Sequence, residues 1–79
     1  MIDLTIIIPV YNEIKTIEKL LKKVLSVNIK KHLIIVDDCS NDGTNKILVK
    51  YSKKIDKLII HKKNRGKGSA IRSAQKFVR

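Results

Sequence analysis

The stretch Leu4 to Glu13, LTIIIPVYNE, sets a β-branched apolar run, Leu4 to Val10, directly against a short polar loop. A run without polar alternation is the pattern of a strand buried on both faces, as in the middle of a parallel sheet. The arrangement recurs twice. Leu33 to Val36 leads into VDDCSNDGT, residues 36 to 44, and Leu58 to Ile60 is followed by NRGKGSAIRSA, residues 64 to 74. Each polar segment then opens onto a helix-like pattern, so all three loops are expected along one edge of a parallel sheet, where such folds bind ligands.

The intervening segments support this reading. Ile14, Ile17, Leu20, Leu21, Val24 and Leu25 recur at spacings of three and four with lysines between them, the stripe of an amphipathic helix. Asp42 and Gly43 open a second helix with Ile47, Leu48 and Tyr51 inward. Gly66 and Gly68 break the chain before a third that carries Ala70, Ile71, Ala74, Phe77 and Val78. The fold class is α/β: a three-layer, Rossmann-like parallel sheet in the order β-α-β-α-β-α with right-handed crossovers. Strand order 3-2-1 is the simplest arrangement. It leaves the first strand without a neighbour on one side, an apolar edge suited to pairing with another chain or with a strand beyond residue 79 of a longer relative.

At 79 residues the chain is one domain at most, below the ~100–150 residues common for an independent domain. A single cysteine, Cys39, excludes an internal disulfide, and with two separated histidines it makes no zinc constellation. No signal-peptide pattern and no run near ~18 apolar residues is present, so the expectation is a soluble, cytoplasmic chain. Charge is strongly uneven. Residues 1–42 carry six lysines and six acids, whereas residues 43–79 carry twelve Lys or Arg against Asp56 alone. Such a basic half attracts polyanions, phosphorylated ligands or anionic lipid head groups, and equally describes a solvated lysine-rich face.

The loops carry the candidate chemistry. Pro9 fixes the exit from the first strand, Tyr11 offers a flat face with a polar tip, and Glu13 can accept from an amide or hydroxyl. The structural alternative makes Asn12 a helix cap, Glu13 a first-turn charge and Tyr11 a packed rim residue. Asp37 and Asp38 are adjacent on a strand and so point in different directions, which argues against a shared metal. One is expected to accept from a base or ribose while the other fixes the loop, with Ser40 and Asp42 satisfying backbone N–H groups of the second helix. Gly66, Lys67 and Gly68, flanked by Arg65 and Arg72 near a helix start, form either a phosphate cradle or a flexible basic turn. The spacing is neither a Walker A loop nor a dinucleotide fingerprint.

Taken together, IIIPVYNE, IIVDDCSNDGT and NRGKGSAIRSA closely resemble the opening of glycosyltransferase family 2 enzymes, and the third segment looks most like the polyisoprenyl-phosphate (dolichyl-phosphate type) glucosyl- and mannosyltransferases. The resemblance runs from Leu4 to about Ala74. It implies that residues 1–79 are the N-terminal, nucleotide-sugar-binding part of a GT-A domain, truncated before the metal motif. It also implies a UDP-sugar or GDP-sugar donor, inverting transfer, and a polyisoprenyl phosphate acceptor at a membrane surface. Carried over position by position, Pro9, Tyr11 and Glu13 match the first nucleotide-contacting loop. Asp37 and Asp38 match the pair of which one, expected to be Asp38, touches base or ribose, and Arg65 and Lys67 match the basic loop near the donor.

Family members carry an Asp-x-Asp-type motif for Mg2+ or Mn2+ and a carboxylate base further on, so neither metal ligands nor catalytic residues are expected in these 79 residues, and negligible turnover is. Two other readings compete: a basic module that binds nucleic acid or anionic membrane, and an interaction protein that uses the open strand edge for self-association or docking.

Overall fold

The computed structural model describes residues 4–78. Three parallel strands, β1 (Leu4–Val10), β2 (Lys31–Asp37) and β3 (Lys57–Ile60), form one sheet in the order β1-β2-β3. Helices α1 (Ile17–Ser26), α2 (Thr44–Lys50) and α3 (Lys67–Gln75) alternate with them, and a single 3-10 turn at Ser52–Lys54 precedes β3. This is the β-α-β-α-β-α order and the 3-2-1 arrangement that the sequence implies.

Alternation along the strands sorts the core into two layers, one on each face of the sheet. Val10, Leu33 and Ile35 pack with Ile17 and Leu21 of α1 and Leu48 of α2, supported by Ile6, Ile8 and Leu58. Ile34 and Val36 face the other way and pack with Ala70 and Ala74 of α3, flanked by Ile7 and Ile59. Alanine at both α3 positions leaves little side chain between helix and sheet, so α3 lies close against β1 and β2. β2 is buried from His32 to Asp37. Burial of each of its large aliphatic side chains contributes about 1.5–3 kcal/mol.

Several details depart from the expected pattern. β1 reads as a fully buried strand, yet Leu4 is exposed, Thr5 to Pro9 are half-buried and only Val10 is buried. Among the described residues β1 pairs with β2 alone, so its outer side is an edge. The α1 stripe is narrower than its spacing suggests: Ile17 and Leu21 are buried, whereas Ile14 and Leu20 are 37% and 39% exposed. Residues before Ile17 form a turn in which Glu13 O accepts from both Thr16 N and Ile17 N. Gly68 lies inside α3 rather than before it, and Ile71, Phe77 and Val78 are exposed. The Phe77 ring lies under the Lys57 ammonium, 4.4 Å from its centroid.

Candidate functional site

All three loops emerge at the C-terminal ends of the strands, and backbone pairing extends there past each strand. Asp38 N donates to Val10 O at 2.8 Å, and His61 N donates to Asp37 O at 2.9 Å. The strand ends are therefore fixed to one another before any side chain contributes.

The side chains of Asp37 and Asp38 diverge as strand geometry requires, and each organises a different loop. Asp37, fully buried, accepts from Ser40 N at 3.1 Å and from the Ser40 hydroxyl. Ser40 Oγ in turn accepts from Asn12 N at 2.8 Å, so Asp37 anchors the second loop and, through Ser40, the first. The seam continues outward. Asn41 N donates to Asn12 Oδ1, Glu13 N to Thr44 Oγ1, and Ile14 N to Asp42 Oδ2. Asp42 Oδ1 accepts from Thr44 N and from the Thr44 hydroxyl. Asp42 thus satisfies the first amide of α2, that of Thr44, as expected, although the cap position itself is Gly43, whereas Ser40 serves the first loop instead of that helix. Asn12 is not the α1 cap. It adopts a left-handed conformation, φ 49°, and cross-links the two loops.

Asp38 is only 4% exposed and holds the third loop. Its Oδ1 accepts from His61 Nδ1 at 2.8 Å and from Arg65 N at 2.9 Å, and its Oδ2 accepts from Gly66 N at 2.8 Å. Burial pushes the Asp38 carboxyl up, but the His61 N–H and the two amides outweigh it and hold the group below the usual aspartate range. Asp42 follows the same balance: burial raises it, while the Thr44 hydroxyl and the amides of Thr44 and Ile14 bring it lower. Gly66 makes the turn into α3 with φ 89° and ψ 163°, a region open essentially to glycine.

Between these loops lies an open cleft of about 320 Å³ lined by Pro9, Val10, Tyr11, Glu13, Asp38, Lys67 and Ala70. Five of the seven residues singled out from the sequence meet there. Tyr11 lines the cleft and is 46% exposed. Asp37 does not reach the cleft, being enclosed beneath Ser40, and Arg65 contributes its amide to Asp38 while its side chain lies outside the cleft lining. Val10 and Ala70, both buried core residues, are additions to the cleft lining.

His61 and Ser73, which complete a buried chain of contacts to Asp38, are also new. The available signal for His61 was its place directly after β3, matching that of Asp38 after β2. Asp56, the acid of the basic half, sits at the opposite end of the sheet, where Oδ2 accepts from Leu33 N at 2.7 Å. Among the described residues no three His, Cys, Asp or Glu side chains converge as a metal centre. Asp37, Asp38 and Asp42 are each engaged in hydrogen bonds that hold the loops.

Comparison with known proteins agrees with this geometry. Residues 5–79 match the model of glycosyl transferase family 2. The chain is 37% identical to human dolichyl-phosphate beta-glucosyltransferase over 83 aligned positions, which cover 89% of this chain and 26% of the human protein. It superposes on the mannosyltransferase PcManGT of Pyrobaculum calidifontis, solved in complex with GDP-Man and Mn2+, with a TM-score of 0.86 and 26% identity over 96% of this chain and 24% of that one. It also superposes on residues 1–349 of Staphylococcus aureus TarS in complex with UDP-GlcNAc, with a TM-score of 0.86 and 30% identity over all of this chain and 24% of that one. The chain therefore spans about a quarter of the length of these relatives. Three parallel strands layered between helices, polar loops gathered on one sheet edge, and a family match across nearly every residue lead to one conclusion: the chain belongs to glycosyl transferase family 2 and has the Rossmann-like architecture of a GT-A fold.

Proposed function

We propose that these 79 residues form the donor-binding portion of a glycosyltransferase, holding a UDP- or GDP-linked sugar in the cleft at the C-terminal edge of the sheet. One observation carries the reading: three loops from successive strands are locked by Asp37 and Asp38 around a cleft that holds Tyr11, Asp38 and Lys67 together. Tyr11 supplies a face on which a base stacks. Asp38 Oδ2 takes one N–H and retains capacity for a second, a base imino group or ribose hydroxyl. Lys67, in the first turn of α3, meets the diphosphate with help from the exposed Arg65 and the helix N-terminus. Pro9 and Glu13 complete the wall, and Asp37 acts indirectly by holding the loops.

The similarity to the human dolichyl-phosphate enzyme supports a polyisoprenyl phosphate acceptor, and the basic second half supports work at an anionic membrane surface. No helix among the described residues is long and apolar enough to cross a membrane. Asp37 and Asp42 hold the loops and Asp38 is assigned to the nucleoside, which leaves none of the three as a catalytic base, and on this reading the chain holds the donor without transferring sugar. The Mg2+ or Mn2+ of longer relatives draws its ligands from other residues. Self-association through the outer edge of β1 is a further expectation, visible as concentration-dependent sedimentation.

The test is a two-dimensional amide NMR titration of the 79-residue chain with UDP, GDP and a short single-stranded DNA at two salt concentrations. Base-selective shifts at Tyr11, Asp38 and Lys67 are expected. Equal, salt-sensitive shifts with every polyanion would replace this reading with that of a basic binding module. Sugar transfer by the isolated chain to a lipid phosphate, at rates like those of full-length relatives, would overturn the expected lack of turnover.

A further inference from the structure

Behind the cleft wall runs a chain of three side chains from three elements of the fold. Asp38 Oδ1 meets His61 Nδ1 at 2.8 Å, and His61 Nε2 meets Ser73 Oγ at 2.9 Å. Asp38 lines the cleft, His61 follows β3 and is 8% exposed, and Ser73 is a half-buried residue of α3. The donor directions follow from chemistry. An ionised carboxylate only accepts, so His61 Nδ1 carries a proton, and in the neutral imidazole Nε2 is then the acceptor of the Ser73 hydroxyl. Ser73 thereby secures the tautomer that Asp38 needs.

We propose that His61 is a positioning residue for the nucleotide site, with Ser73 as its tautomer lock. The inference rests on the donor-site reading and deepens it. His61 takes one acceptor direction on Asp38 Oδ1, and Arg65 N takes the other. The remaining capacity of the carboxylate then lies on Oδ2, alongside the Gly66 amide. By fixing the carboxylate in this way His61 acts on two parts of the site: the acceptor offered to base or ribose, and the Arg65–Gly66 turn that starts α3 beside the diphosphate. Ser73 lies on the helix that begins with Lys67, so the contact also ties α3 to the strand ends. His61 touches no ligand in this scheme and takes no part in chemistry.

The geometry permits a test that separates positioning from mere space-filling. An asparagine amide can stand where Nδ1 stands, whereas a glutamine amide reaches toward the place of Nε2. His61→Asn keeps the donor to Asp38 and loses Ser73; His61→Gln does the reverse while matching the histidine better in size. UDP and GDP dissociation constants are measured by amide NMR for the wild type and for His61→Asn, His61→Gln, His61→Ala and Ser73→Ala. Peak dispersion reports folding of each, and the imidazole 15N spectrum of the wild type reports the tautomer.

Binding in His61→Asn is expected within roughly threefold of the wild type, and in His61→Gln and His61→Ala at least tenfold weaker, as for loss of a hydrogen bond to a charged group. Ser73→Ala should cost about threefold, with His61 protonated on Nδ1 in the wild type. If His61→Ala does not fold, the Asn and Gln pair decides the matter. Glutamine equal to or better than asparagine, or an Nε2–H tautomer in the wild type, overturns the positioning role while leaving the donor site standing. Failure of the wild type to bind any nucleotide overturns the donor-site reading and this inference with it.

Discussion

Replacing Asp38 with alanine strands three donors at once: His61 Nδ1–H and the amides of Arg65 and Gly66. Arg65 and Gly66 are exposed, so water recovers most of what their amides lose, but the His61 ring is enclosed and loses its partner within the protein. A hydrogen bond to a charged group contributes about 1.5–3 kcal/mol net. Taking the buried bond near full value and the two amides at a fraction gives a loss of about 3 kcal/mol. For a chain of 79 residues, a total stability of ~0.05–0.15 kcal/mol per residue amounts to about 4–12 kcal/mol. The substitution thus removes a quarter of the total or more. With a urea slope of about 1 kcal/mol per molar for so small a domain, the midpoint followed by circular dichroism falls by roughly 2–3 M. Asp38→Asn keeps one accepting oxygen and should fall between the two. A midpoint within about 0.5 M of the wild type for Asp38→Ala, with the Arg65 and Gly66 amide resonances unmoved, would refute the claim that this carboxylate organises the third loop.

Other consequences follow from the same structure. Gly66→Ala places a Cβ in open space, with no atom within 4 Å, yet φ of +89° strains any side chain, so thermal melts should show a loss of about 1–3 kcal/mol with weaker UDP binding. Leu48→Ala empties a fully buried position between α2 and the sheet and should cost about 2–5 kcal/mol in urea titration. Lys67→Ala should weaken nucleoside diphosphate binding about three- to fivefold in calorimetry and leave the free nucleoside unaffected, in keeping with an exposed charge. Asp38 and Asp42 are held below the ordinary aspartate range when folded. Their stabilisation is therefore complete above the unfolded value of about 3.9 and is lost as pH falls through the lower folded values. An acid titration should show unfolding beginning below about pH 4, with the acid limb shallower in Asp42→Asn.

Much of this was legible in the chain itself. The aliphatic runs at Leu4, Leu33 and Leu58 marked the strands because unalternating β-branched residues suit only a sheet covered on both faces. Pro9, the Asp37–Asp38 pair and Gly66 marked the loops, since each residue type answers a local backbone demand. Even the divergence of the two aspartates followed from strand geometry. The exposure of Ile14 and Leu20 was not legible, because spacing alone defines a stripe but not how much of it the neighbouring elements cover.

The sequence by itself determined the element order, the position of the three polar loops and the family, because local periodicity and loop chemistry are written over stretches of about ten residues. Only the tertiary structure decided which aspartate holds which loop, that Asn12 bridges loops instead of capping a helix, and that His61 and Ser73 stand behind Asp38. Apart from the local contact of Asp37 with Ser40, those bonds join residues 12 to 29 positions apart. A hydrogen bond depends on distance and direction in space, and for partners so far apart in the chain both are set only when the sheet has assembled and α3 has packed against it.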